Sequence, residues 1–154
     1  MATSVGSVDL PNPIMTASGT AGHGAELSAY FDLANLGALV VKSLSVMEWP
    51  GNPSPRVVQL PGAMMNSVGL QGPGVQGWID DELPALRKAG ARVVVSIWGR
   101  TSDEYGEAAE ALAPIQDELT AVELNVSCPN LKDGKKMFAH TCDCLLYTSD
   151  AADE

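Results

Sequence analysis

The sequence predicts an α/β fold built on a parallel sheet, and three observations lead there. Short apolar segments alternate with longer amphipathic ones, with no tight hairpin signal between them, as βαβ units require. The segment "RVVVSIWG" (92–99) is almost wholly apolar, the pattern of a strand buried on both faces. Polar residues close several of these apolar segments: Ser18, Lys42, Ser96, Asn125 and Cys128. A doubly wound sheet and a β/α barrel both satisfy the first two observations. No GxGxxG follows the first strand, which weakens a dinucleotide-binding doubly wound fold. Barrel enzymes place their chemistry at the carboxyl ends of strands, where these polar residues stand.

The elements follow in order. "NPIMTASG" (12–19) reads as a short strand ending in small residues. "AELSAYFDLANLG" (25–37) reads as a helix, with Leu27, Phe31 and Ala34 on one side and Gly37 as its stop. "ALVVKS" (38–43) reads as an apolar strand running into Lys42. Residues 49 to 77 are rich in Pro, Gly and Asn and read as long loops. "WIDDELPALRKAG" (78–90) sets Trp78, Ile79, Leu83, Leu86 and Ala89 at helical spacing, and Pro84 predicts a kink or a restart. After the strand 92–99, Thr101 and Glu104 stand in capping-box register ahead of Tyr105, Ala108, Ala109 and Leu112. "AVELNVS" (121–127) reads as a fourth strand, alternating Val122, Leu124 and Val126 against Glu123, Asn125 and Ser127.

A chain of 154 residues with 45% hydrophobic content can bury one core, and predicts one domain. The net charge of −10 argues against a nucleic-acid surface and against electrostatic binding to anionic membranes. "MATSVGSVDL" lacks the basic and apolar regions of a signal peptide, and the apolar runs are too short to span a bilayer. A cytoplasmic location is the expectation. Cys128, Cys142 and Cys144 are an odd set that suggests no disulfide framework.

Three features offer chemistry. Lys42 is either the first solvated residue after a strand or a cation at the mouth of a pocket, suited to an anionic ligand or an electron-rich ring. "NSVGLQGPG" (66–74) is either a turn cluster or a loop whose amides approach a planar ligand. The Asn66 amide offers an acceptor and two donors, which matches the edge of a pyrimidine. In "LNVSCPN" (124–130), Cys128 could be an inert buried thiol, a metal ligand, or a thiolate base or nucleophile with its pKa lowered from about 8.5. Cys128, His140, Cys142 and Cys144 cluster, but Cys-x-Cys is not the usual zinc spacing and no matching pair occurs elsewhere, so no metal site is predicted. Spacing alone does not decide the role of Cys128.

Five segments in order, "NPIMTASGT", "LGALVVKSLS", "GNPSPR", "MNSVGLQGPG" and "ELNVSCPN", resemble the N-terminal half of dihydroorotate dehydrogenase. The resemblance runs from about Leu10 to Asp143. It implies the N-terminal half of a (β/α)8 TIM barrel with FMN above the carboxyl ends of the strands. The cysteine at 128 resembles the soluble class 1 enzymes, and the wording is most similar to their NAD-linked form. That form implies an iron–sulfur and FAD electron-transfer subunit, in a homodimer or heterotetramer. By resemblance, Ala17, Ser18 and Gly19 lie against the flavin, and Lys42 and Ser43 contact it. Lys42 also reaches the substrate carboxylate. Asn66, Ser67, Val68, Gly69 and Leu70 line the orotate site. Asn125 touches flavin and substrate, and Asn130 the substrate. Cys128 takes the C5 proton of dihydroorotate while hydride leaves C6 for FMN. The family usually has asparagine where this chain has Ser96, a shorter group that stays an FMN contact in this reading.

Residues 144–154, "CLLYTSDAADE", resemble the translation of a transposase-type sequencing adapter. The expectation is therefore a partial barrel over 1–143 and an artefactual tail over 144–154. Three of the nineteen acidic residues fall in that tail, so the balance stays acidic without it. A full barrel takes about 250 residues, and its phosphate-binding loops follow the last strands. The truncated chain is thus expected to be inactive and to bind FMN poorly. Two other readings are a dihydropyrimidine dehydrogenase-like flavin barrel and a non-catalytic ligand-binding fragment.

Overall fold

The computed structural model describes residues 1–127; Cys128, Asn130, His140, Cys142, Cys144 and the segment 144–154 lie outside the described residues. In chain order the strands are β1 (Thr3–Val5), β2 (Val8–Leu10), β3 (Leu39–Val40), β4 (Val57–Leu60), β5 (Ala63–Asn66), β6 (Val93–Ile97) and β7 (Ala121–Leu124). The α-helices are α1 (Gly74–Asp81), α2 (Leu83–Lys88) and α3 (Ser102–Leu112). The most apolar segment makes the central strand. Every residue of β6 is buried, and β3 and β7 flank it in parallel, with Leu39 opposite Val93 and Ile97 opposite Leu124.

Both faces of β3 and β6 are covered. Leu39, Val41, Val93, Val95 and Ile97 pack against Trp78, Leu83 and Leu86 of α1 and α2, and against Tyr105, Ala108 and Leu112 of α3. On the other face Ala38, Val40 and Val94 meet Leu10 from the β1–β2 hairpin. The chain is thus α/β, as the alternation of apolar and amphipathic segments predicts.

The expected first strand is reduced to one parallel bridge, Met15 to Ala38. Thr16 explains the reduction. Its hydroxyl accepts from Val40 N (2.8 Å) and donates to Val40 O (3.2 Å), so a side chain makes rungs that main chain would otherwise make.

The expected helix over 25–37 is instead two 3-10 turns, Glu26–Ala29 and Leu33–Asn35. Asp32 separates them. Its backbone is extended and its carboxylate accepts from Ala34 N at 3.0 Å, which caps a new turn rather than continuing the old one. Phe31 and Ala34 are exposed, and Leu33 fills the core in their place.

Two antiparallel hairpins correct the expectation that none occurs. β1 and β2 turn at Gly6–Ser7, and β4 and β5 at Pro61–Gly62. Gly6 and Gly62 take φ of +57° and +72°, the conformations such turns need. The second hairpin lies inside the stretch read as loop. The helix after it also begins earlier than expected, at Gly74. That residue has φ +77°, and a side chain there would strike the Met47–Glu48 backbone.

Pro84 falls in the first turn of α2, so the restart occurs rather than the kink. Thr101 caps α3 by accepting from Glu104 N at 3.3 Å. Glu104 reaches back one residue further than a capping box does, to Arg100 N. Burial pushes the Glu104 carboxyl up, but hydrogen bonds from the Arg100 side chain and main chain, with its charge, hold it below the usual range. In β7 the alternation is imperfect: Val122 is exposed, while Leu124 and Val126 pack against the core. No helix among the described residues is long and apolar enough to cross a membrane.

Candidate active site

The carboxyl ends of the parallel strands gather four of the polar residues picked out by sequence. Ser43 Oγ lies 3.0 Å from Ser18 Oγ and 2.9 Å from Ser96 Oγ, and it accepts from Asn125 Nδ2 at 2.9 Å. A hydroxyl has one proton and two lone pairs. With Asn125 filling one lone pair, one of the two serines donates to Ser43 and the other accepts from it. Ser43 is therefore fully used. Asn125 is fixed in turn: its main chain donates to Ile97 O at 2.8 Å and accepts from the Tyr105 hydroxyl at 2.6 Å.

A bulge in the sheet aims Ser43 at this cluster. Val41 N bonds Val94 O, and the next rung joins Leu44 N to Ser96 O. Three steps along one chain match two along the other, so one residue is extra. Leu44 consequently faces the helices as Leu39 and Val41 do, and Ser43 turns to the opposite face with Ser96. Lys42 N points to the other edge of the strand, as Val40 N does, and bonds Gly22 O at 2.9 Å. Bulges of this kind commonly re-aim side chains beside active sites.

Next to the cluster lies a cleft of about 430 Å³, lined by His23, Lys42, Glu48, Trp49, Val68 and Gln71 among others. Lys42 Nζ lies beside Gly19, where an added Cβ would sit 3.8 Å from it. Gly19 has φ +80° in a turn closed by Thr20 N to Ala17 O. Ala17, Ser18, Gly19 and Lys42 therefore come together from two loops.

The segment 66–70 divides. Asn66 ends β5, exposed, and Ser67 is exposed beside it; Val68 lines the cleft; Gly69 and Leu70 are buried. Asn52 clamps this segment. Its amide donates to Ser67 O (3.1 Å) and Ser67 Oγ (3.0 Å), and its main-chain N–H donates to Val68 O. Trp49 Nε1 adds a bond to Gly69 O at 3.0 Å. Leu70 is held at φ +59°, a strained conformation for leucine of the kind that gathers at ligand sites. Cys128 and Asn130 lie outside the described residues.

Sequence reasoning missed His23, Trp49, Asn52 and Tyr105. The signal for His23 was its place between two glycines in "AGHGAE" (21–26), after the first strand. Trp78 Nε1 donates to His23 O at 2.7 Å and pins that loop to the core. Burial lowers the His23 pKa, and the Lys42 charge lowers it too, against the Gln71 carbonyl and Glu26, which raise it. The unfolded chain then binds the proton more readily. Stability rises with pH from the lowered folded pKa up to 6.5, and is lost on acidification through that window. His23→Gln is expected to flatten the pH dependence of the melting temperature below about pH 6.5, read by circular dichroism. Among the described residues no group of three His, Cys, Asp or Glu is arranged to hold a metal ion.

Comparisons with known proteins agree with one another. Residues 1–150 match the family model described as dihydroorotate dehydrogenase. The chain is 44% identical over 138 residues to the protein named dihydroorotate dehydrogenase B (NAD(+)), catalytic subunit, of Geotalea uraniireducens, covering 90% of this chain and 45% of that protein. The protein of the same name from Alkaliphilus metalliredigens is 46% identical over 138 residues, with the same coverage. That from Trichlorobacter lovleyi is 44% identical over 144 residues, 94% of this chain and 47% of the relative. The chain spans about half the length of these curated relatives.

Proposed function

The chain belongs to the dihydroorotate dehydrogenase family, and from that premise we propose that it forms part of an enzyme oxidising dihydroorotate to orotate in pyrimidine biosynthesis. Residues 1–143 supply the first β/α units of a (β/α)8 barrel. The observation that carries the reading is the cluster of Ser18, Ser43, Ser96 and Asn125 beside Lys42, at the carboxyl ends of parallel strands. Those are the ends where barrels hold substrates and cofactors.

The donor set suits FMN. Ser18 and Asn125, braced by Ser43, offer neutral hydrogen bonds, Lys42 a cation, and Gly19 bare backbone beside the ammonium. FMN, when bound, supplies the acceptor for the hydride that leaves C6 of dihydroorotate. Lys42 binds the substrate carboxylate. Asn66 to Leu70, Asn125 and Asn130 orient the ring, and Cys128 removes the C5 proton as general base. Ser96, fully buried, acts on the cofactor site by positioning Ser43 from beneath. The relatives' name, a catalytic subunit of an NAD(+) enzyme, supports a partner subunit that carries electrons onward, which the resemblance makes an iron–sulfur and FAD subunit.

The test is a full-length enzyme carrying residues 1–143 as its N-terminal half. Dihydroorotate should bleach its flavin under anaerobic conditions, and Cys128→Ala should abolish that at neutral pH. Purification without flavin, or full turnover by Cys128→Ala, would sink the reading. Dihydrouracil, which lacks the carboxylate, should be turned over far more slowly; equal turnover would favour a dihydropyrimidine dehydrogenase-like reaction instead.

A further inference from the structure

Among the described residues two buried side-chain polar atoms have no hydrogen-bond partner: His23 Nδ1 and Trp98 Nε1. Buried N–H groups are nearly always paired, and an orphan costs about 1–3 kcal/mol. Trp98 is 2% exposed. An indole nitrogen only donates, so what it lacks is an acceptor.

The fold says where that donor stands. Trp98 follows β6, and its main-chain N–H bonds Leu44 O at 2.9 Å, so the ladder runs through it. Side chains alternate along a strand. Ile97 packs into the helix-side core, while Ser96 joins the serine cluster on the opposite face. Trp98 therefore shares the face of Ser96, one step nearer the carboxyl end, and it belongs to neither apolar cluster. Its ring meets Trp49 edge to face, with centroids 5.5 Å apart and planes at 79°. Trp49 lines the cleft with Lys42 and is itself fixed, by Gly69 O on its indole nitrogen and by the Arg100 guanidinium 5.3 Å from its ring. The other orphan, His23, lines that cleft, and Trp98 adjoins it through the Trp49 ring.

We propose that Trp98 is a ligand-binding residue of this site, its indole N–H donating to a ring carbonyl of the bound heterocycle. The inference rests on the function proposed above. The isoalloxazine of FMN and the pyrimidine of orotate both carry such carbonyls, and both are planar rings that two perpendicular indoles can border. A sequence reading overlooks Trp98 because an aromatic residue ending an apolar strand looks like core.

The experiment uses the full-length enzyme with its tryptophan indoles labelled with nitrogen-15. The Trp98 signal is identified by its loss in Trp98→Phe, which keeps an aromatic ring and removes the donor. FMN is titrated into apoenzyme, and orotate into FMN-loaded enzyme. In one titration the Trp98 indole proton should move downfield and exchange more slowly, which names the owner of the carbonyl. Trp98→Phe should weaken that ligand about tenfold. If both ligands bind while the proton stays put, and Trp98→Phe binds each as tightly, the proposal falls and the function stands. If the wild type binds neither ligand, the proposed function falls and takes this inference with it. Should Trp98→Phe not fold, Trp98→Tyr, which also removes the indole signal, assigns it, and the wild-type shift alone decides.

Discussion

Replacing Trp78 by alanine should destabilise the protein by about 3–5 kcal/mol, the range for deleting a buried aromatic side chain. Trp78 is fully buried at the meeting of α1, α2 and the sheet, among Leu39, Val41, Leu83 and Leu86. Its removal leaves a cavity that β6 and the helices cannot close without breaking their own packing. It also takes the indole N–H from His23 O, the bond that anchors the loop walling the cleft. Trp78→Phe separates the two effects. It keeps most of the volume and loses the bond, for about 1–2 kcal/mol. Urea unfolding monitored by circular dichroism measures both. Equal losses for the two variants would show that volume at this position does not matter.

Ser43→Ala should cost about 1–3 kcal/mol, although it removes a single oxygen. The cause is what it leaves behind. Ser96 is 0% exposed, and its hydroxyl is then buried without its partner. Asn125 and Ser18 are less buried and can turn to water. The double variant Ser43→Ala/Ser96→Ala removes both members of the buried pair, so it should be less destabilised than the sum of the singles by about 1 kcal/mol. Strict additivity in the denaturation midpoints would mean that the two hydroxyls act independently.

Much of the architecture was legible because burial writes itself into composition. β6 is apolar throughout since both of its faces are covered, and α3 announces itself through Thr101 and Glu104. The hairpin β4–β5 was hidden for the converse reason. Val57, Val58, Met64 and Met65 are all exposed, so no alternation marks them as strand, and Pro61 and Gly62 read as more of the surrounding loop. The helix expected over 25–37 failed at Asp32, whose side chain could cap a turn as easily as decorate a helix.

The site divides along the same line. Ser18, Lys42, Ser96 and Asn125 stood out as polar residues closing apolar strands, and the structure places them around or beside Ser43. His23, Trp49 and Asn52 come from loops, where sequence spacing carries no geometry. The bulge at Lys42–Ser43 was beyond reach, since it exists only in the mismatch between two strands' hydrogen bonds.

The strand beside that bulge also divides the labour of its backbone, because successive N–H groups point to opposite edges. Val41 and Leu44 give their N–H groups to β6, whereas Lys42 gives its own to Gly22 in the preceding loop. The cation in the cleft is thus tethered to a loop rather than to the sheet that carries it. Opening the loop can release Lys42 while the rungs on either side stay closed, so the charge can shift on the timescale of a local fluctuation and leave the core unmelted.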